Sequence, residues 1–184
     1  MEKCRLLFSG SGGQGVITSA ILLAEAAVRY ENLNAVQSQS YGAEARGGAT
    51  RSDVIIWDKP IFFPKVNQPN ILICLTQAAF DKYIFSIRPG GILVTDSRLV
   101  KNPGLVDARK VELPFYDTVM ESIGKPVVLN ICLLGGIVRL TELVRPESVA
   151  ALIRERFQPS FHDINIKALE MGFELMSGHD IMKQ

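Results

Sequence analysis

Gly10-Ser11-Gly12-Gly13-Gln14-Gly15 separates a short apolar run, Arg5 to Ser9, from a long helical pattern, Val16 to Tyr30. Ile17, Ala20, Ile21, Ala24, Ala27 and Val28 recur there at helical spacing, so the pattern predicts a strand over 3–9 and a helix over 14–30. A strand, a glycine turn and a helix in that order are half of an α/β layer. They also make a ready anion site, because the first N–H groups of a helix have no partner inside it.

A second glycine-rich turn, Gln39-Ser40-Tyr41-Gly42-Ala43-Glu44-Ala45-Arg46-Gly47-Gly48, follows a weaker strand at 34–40. The loop over 42–49 leads into a third strand at 50–57, which ends at Asp58-Lys59-Pro60. The connection between these strands is too short for a crossover helix. The two are therefore expected to pair antiparallel, giving a mixed sheet with both glycine turns at one edge.

Residues 61–66 read as a short extended piece bounded by Pro60 and Pro64. Residues 71–75 form a fully apolar strand, Thr76 is placed as an N-cap for a helix over 78–87, and Ile92 to Thr95 is a further buried strand ending at Asp96. This is a βαβ crossover by pattern. Residues 105–113 supply an edge strand. From Pro114 the pattern turns helical, over 114–123, 127–142, 146–157 and 163–177, with Pro126, Pro146 and Pro159 as separators. The expectation is a single three-layer α/β domain over 1–184, with a mixed, mostly parallel sheet and a helical C-terminal third.

The 184 residues suffice for one sizeable core. The 20 basic and 19 acidic residues nearly cancel, which gives no reason to expect nucleic acid or an anionic membrane as partner. No apolar run reaches the roughly 20 residues of a membrane span. The N-terminus passes directly into a strand pattern without a signal-peptide core, so a cytoplasmic location is expected. Cys4, Cys74 and Cys132 are scattered through apolar stretches. They read as reduced, buried thiols, and no metal or iron–sulfur site is expected from this chain alone.

Gly10, Gly12 and Gly15 satisfy the dinucleotide pattern G-x-G-x-x-G, which also wants an acid near the end of the second strand to hold a ribose hydroxyl. The nearest acids are Glu31 before that strand and Glu44 beyond it, so a nicotinamide or flavin site is disfavoured. The turn also lacks the lysine of a P-loop. Two readings remain: backbone donors for a phosphate or carboxylate, or simply a tight turn needing positive φ. In the second loop, Arg46 has the fork to grip such an anion, or pairs with Glu44 to fix the loop against a partner. The candidate binding set is Gly10, Gly12, Gly13, Gln14, Gly15, Ser40, Tyr41, Gly42, Glu44, Arg46, Gly47 and Gly48. No catalytic set emerges. His162 and His179 read as solvated, Ser9, Ser11 and Ser40 lack an identifiable base, Asp96 reads as a cap or turn former, and Trp57 as core or interface.

Gly10 to Val16 and Gln39 to Ala49 resemble the gamma subunit of 2-oxoacid:ferredoxin oxidoreductases. Asn130, followed by Leu134-Gly135-Gly136, is similar to a later segment of that family. The resemblance covers most of the chain. Pyruvate-type loops usually read Gly-x-Glu-Arg-Arg-Gly and indolepyruvate-type loops His-Gly-Met-x-Gln-Arg-Gly-Gly. The present Gln-Ser-Tyr-Gly-x-Glu-Ala-Arg-Gly-Gly is similar to the 2-oxoglutarate or 2-oxoisovalerate type, with Ala43 where proline is usual.

The resemblance implies a subunit inactive alone, in a complex that decarboxylates a 2-oxoacid on thiamine diphosphate and transfers the acyl group to coenzyme A. Electrons pass through iron–sulfur clusters to ferredoxin or a similar acceptor. Thiamine diphosphate, Mg and the clusters then belong to partner alpha, beta and ferredoxin-like delta subunits. The glycine-rich edge would meet those partners, coenzyme A, or both. A scaffold role and a free-standing nucleotide-binding oxidoreductase are the alternatives of other classes.

Overall fold

The strand predicted after the second glycine loop is the one that reverses. In the computed structural model, which describes residues 1–39, 49–101 and 106–178, a sheet of β1 (Cys4–Gly10), β2 (Asn34–Gln39), β3 (Thr50–Trp57), β4 (Ile71–Cys74), β5 (Gly91–Asp96) and β6 (Ala108–Leu113) runs in the order β2-β3-β1-β4-β5-β6. β3 is antiparallel to both neighbours, whereas β1, β4, β5 and β6 are mutually parallel. Gly10 pairs with Thr50, Gln39 with Ser52, Ser9 with Cys74 and Cys74 with Thr95. The carboxyl ends of β1, β2, β4 and β5 therefore share one edge with the start of β3.

Alternation along β1 sends Leu6 and Phe8 to one face and Leu7 to the other, and all three are fully buried. On the first face they join Val54, Ile56, Ile73 and Val94 beneath α1 (Val16–Tyr30), α3 (Phe115–Ser122) and α4 (Leu129–Thr141). Leu7, Leu72 and Leu93 meet Phe80, Tyr83 and Ile84 of α2 (Gln77–Tyr83) and the 3₁₀ turn that follows it. This is the expected three-layer arrangement, thin on the α2 side. α5 (Pro146–Arg156) and α6 (His162–Ser177) complete the helical third.

α4 is buried around almost its whole circumference because it is surrounded, and most of its residues are apolar. Gly135 and Gly172 let the backbones of α4 and α6 touch: a Cβ on either would run into a carbonyl of the other helix, that of Leu169 or Cys132.

The remaining differences from expectation have local causes. The helix expected over 78–87 is α2 for seven residues, then tightens into a 3₁₀ turn at Ile84–Ser86. Thr76 does cap it, accepting the Ala79 N–H at 3.2 Å. Pro126 and Pro159 open 3₁₀ turns that feed α4 and α6. Residues 61–66 form no strand but end in an anchor: Val66 is fully buried and its N–H donates to Asp53 Oδ2 at 3.1 Å.

Glu31, just past α1, receives the Arg145 N–H at 3.1 Å and the Ser148 hydroxyl at 2.5 Å, and pairs with the Arg145 guanidinium. A carboxylate is thus set against the N-terminus of α5, where the helix dipole favours it.

Candidate functional site

The Gly10–Gly15 turn stands where the chain order of the sheet splits. From β1 the chain crosses to β2 on one side, while β4 lies on the other, and open α/β sheets leave a crevice at such a point. Gly13 (φ 84°) and Gly15 (φ 72°) are in the left-handed region, which side chains rarely adopt.

Gln14 builds the turn from within. Its N–H donates to the Ser11 carbonyl at 3.3 Å, and its Oε1 accepts the Ser11 N–H at 2.7 Å. Its Nε2 reaches the Leu75 carbonyl at the end of β4 at 3.5 Å. A Cβ on Gly10 would stand 2.5 Å from that Oε1, so the first glycine makes room for the glutamine.

At the other end of the turn, Asn130 of α4 does the same for Gly15. Asn130 is buried, its Nδ2 donates to the Gly15 carbonyl at 3.4 Å, and a Cβ on Gly15 would meet that nitrogen at 2.6 Å. Ser19 of α1 donates to the Asn130 carbonyl at 2.8 Å. On the β3 side, Ser9 Oγ donates to the Thr50 carbonyl at 2.7 Å and Thr50 Oγ1 to the Gly10 carbonyl at 2.9 Å.

What this scaffold presents outward is backbone. Ser11, Gly12 and Gly13 are exposed, and nothing lies within 4 Å of where a Cβ on Gly12 or Gly13 would be. α1 starts at Gly15 with no side-chain cap hydrogen bond and no acid in its first turn. The arrangement sets exposed glycine backbone at the positive end of the α1 dipole, suited to an oxyanion.

Of the candidate set, Gly10, Gly12, Gly13, Gln14 and Gly15 lie together in this turn. Ser40, Tyr41, Gly42, Glu44, Arg46, Gly47 and Gly48 lie outside the described residues. The flanking residues Gln39 and Ala49 stand at the same edge as Gly10.

Asp96 is the cap that the sequence suggested. It is fully buried and accepts the N–H groups of Arg98 at 2.9 Å, Leu99 at 3.1 Å and Tyr116 at 2.7 Å. Burial pushes its carboxyl up while those three donors oppose the shift. His162, expected to be solvated, is half-buried, with Nε2 2.8 Å from the Phe157 carbonyl. His179 lies outside the described residues.

Trp57 is half-buried, donates to the Met1 carbonyl at 3.1 Å and carries Lys3 over its ring at 4.1 Å. Cys74 and Cys132 are fully buried, with thiols pushed up to about 12 by burial, while Cys4 is only half-buried. Among the described residues no group of three or more His, Cys, Asp or Glu is placed to hold a metal, and no helix is long and apolar enough to cross a membrane.

The roles of Asn130, Ser19 and Thr50 escaped sequence reasoning. A buried polar residue in an otherwise apolar helix, as Asn130 is in α4, was the available signal.

Sheet order, reversed β3 and an exposed glycine turn at the strand ends together define an α/β domain of one recognisable class. The model of the pyruvate ferredoxin/flavodoxin oxidoreductase family matches residues 5–175, and the chain belongs to that family. It is 44% identical over 169 residues to 2-oxoglutarate synthase subunit KorC of Methanocaldococcus jannaschii, covering 91% of this chain and 90% of that one.

The gamma subunit of a keto/oxoacid ferredoxin oxidoreductase from Geobacter sulfurreducens superposes with a TM-score of 0.87 at 39% identity, over 96% of this chain and 97% of that one. The same fold, at 18% identity and a TM-score of 0.87, occurs in a 2-oxoglutarate:ferredoxin oxidoreductase from Magnetococcus marinus with 2-oxoglutarate, coenzyme A and succinyl-CoA bound. There it covers 97% of this chain and 32% of a longer one. The chain is a gamma-type subunit of a multi-subunit 2-oxoacid:ferredoxin oxidoreductase.

Proposed function

We propose that the chain serves a 2-oxoglutarate-oxidising enzyme and that its Gly10–Gly15 crevice contacts the phosphate-bearing part of coenzyme A at the subunit junction. In that reaction the 2-oxoacid loses carbon dioxide, the acyl group leaves on the coenzyme A thiol, and the electrons go to ferredoxin or a similar acceptor. Thiamine diphosphate, Mg and iron–sulfur clusters belong, in this reading, to alpha, beta and ferredoxin-like delta partners in the cytoplasm.

The observation that carries the coenzyme A contact is the uncapped start of α1 beside an exposed, rigidly braced glycine turn. Backbone N–H groups there offer what a phosphate needs without a lysine. Support for 2-oxoglutarate comes from the likeness to the KorC subunit, while the Tyr41-Gly42-Ala43-Glu44-Ala45-Arg46 form of the second loop fits a 2-oxoglutarate or 2-oxoisovalerate type.

The test uses the assembled enzyme. Gly12→Glu puts a carboxylate into the open mouth of the turn, and Arg46→Ala removes the guanidinium of the second loop. Each is expected to raise the KM for coenzyme A at least tenfold with the KM for 2-oxoglutarate unchanged. An unchanged coenzyme A KM in fully assembled enzyme would refute the contact. Parallel assays with 2-oxoisovalerate and pyruvate decide the substrate.

A further inference from the structure

Phe62, Phe63 and Phe85 are 93%, 60% and 90% exposed, the largest solvent-facing aromatic group among the described residues. Their two segments cover the same face of the sheet. Asp53 is opposite Leu7 in the β1–β3 register, and Leu7 belongs to the core beneath α2.

The segment carrying Phe62 and Phe63 is clamped onto that face. Asp53 receives the Val66 N–H at 3.1 Å, Arg51 Nη2 donates to the Val66 carbonyl at 2.5 Å, and Ser38 Oγ donates to the Pro64 carbonyl at 3.0 Å. Arg51 also lies 5.5 Å from the centre of the Tyr83 ring, two residues before Phe85. One ion-paired arginine thus joins both aromatic segments. Arg51 pairs with Ser9, and Ser38 is one residue from the end of β2, so the Phe62–Phe63 segment is anchored near the edge that carries the glycine turn.

We propose that this aromatic face is the docking surface for the larger partner subunit of the oxidoreductase. The proposal rests on the subunit reading given above. Rings held out by a fixed backbone lose little freedom on docking, which lowers the cost of association. Three phenylalanines offer roughly 150–250 Å² each. That is most of the approximately 800 Å² per partner of a standard stable interface.

The choice of occupant follows from chain length. The same fold makes up only 32% of a longer chain in the Magnetococcus marinus enzyme, so there it is tethered to further parts of the same polypeptide. In a separate subunit, a non-covalent surface must do the work of that tether. Lys65, Asp81 and Lys82, within four residues of a ring in sequence, are exposed and supply the polar groups usual at the rim of such contacts.

The test co-expresses the tagged chain with the partner subunits of its enzyme. It compares wild type, Phe62→Ser/Phe63→Ser, Phe85→Ser, and Val127→Ser as a control for an exposed apolar residue on a different element. The phenylalanine variants are expected to recover at least tenfold less large subunit, with thermal midpoints unchanged, while the control recovers it fully. Full recovery by the phenylalanine variants overturns the docking surface and leaves the subunit reading standing.

If wild type captures no partner, the subunit reading falls first and this inference with it. A concentration-dependent dimer of the isolated chain, abolished by the phenylalanine changes while assembly survives, assigns the face to a second copy and also overturns the proposal.

Discussion

Asn130 occupies the space that any side chain on Gly15 would need: its Nδ2 is 2.6 Å from the position of a Cβ there and donates to the Gly15 carbonyl at 3.4 Å. The helical third of the chain is thereby locked to the glycine turn. Gly15→Ala adds left-handed strain to this collision and is expected to destabilise by about 2–4 kcal/mol. Gly12→Ala, with nothing within 4 Å, is expected to stay within about 0.5 kcal/mol. Urea unfolding of the two variants checks the contrast.

The same geometry predicts non-additivity. Asn130→Ala alone removes a buried hydrogen bond, at roughly 1–3 kcal/mol. In that background Gly15→Ala should cost only the backbone strain, about 1–2 kcal/mol. A double-mutant cycle giving simple addition would show that the collision is relieved in some other way.

Asp53 holds the segment that ends at Val66 through Arg51 and the Val66 N–H. Asp53 is nearly buried, and its removal leaves a half-buried guanidinium without that partner. Asp53→Ala is expected to cost on the order of 3 kcal/mol. It should also make the chain around Phe62 and Phe63 the first site of limited proteolysis. Wild-type resistance in the variant would mean the clamp lies elsewhere.

Glu31 gives a signed pH dependence. Burial acts to raise its pKa, but the Ser148 hydroxyl and the Arg145 N–H and guanidinium outweigh it, so the carboxyl sits below its ordinary value. Its contribution is therefore complete above the unfolded carboxyl range near pH 4.3 and disappears as pH falls through the lower folded value. Glu31→Gln should be less stable than wild type at pH 7, and the difference should shrink on acidification below about pH 4. A gap that widens there would contradict the assignment.

Cys74 and Cys132 have no exposed surface, and burial moves their thiols to about 12. Burial raises the Cys4 thiol to about 12 as well, so only its partial exposure separates it from the other two. Native protein at pH 8 should leave Cys74 and Cys132 unmodified by an alkylating reagent and react slowly, at Cys4 alone. All three should react in denaturant. Mass mapping of the labelled thiols gives the order.

Much of the fold was legible because its signals were local. β1, β4 and β5 began as apolar runs, and the short 40–49 connection implied the reversal of β3. Proline positions separated the helices. The site was legible only in outline. The turn at Gly10–Gly15 was visible, but its bracing comes from Asn130, 115 residues away, and from Leu75, 61 residues from Gln14. Patterning within a window reports which side chains are inward, not which distant polar atom they meet. The exposed aromatic face was missed for a related reason: a Phe-Phe pair between prolines looks like core until the backbone shows which way it turns.

The reversed β3 has a consequence for how such a subunit can change. Because Gln39 is opposite Ser52, the chain leaves and re-enters the sheet at neighbouring points. The ladder therefore fixes where both flanking residues, Gln39 and Thr50, must stand. A change of sequence between those two points is thus expected to leave β2 and β3 in register, because the register is set by the strands themselves.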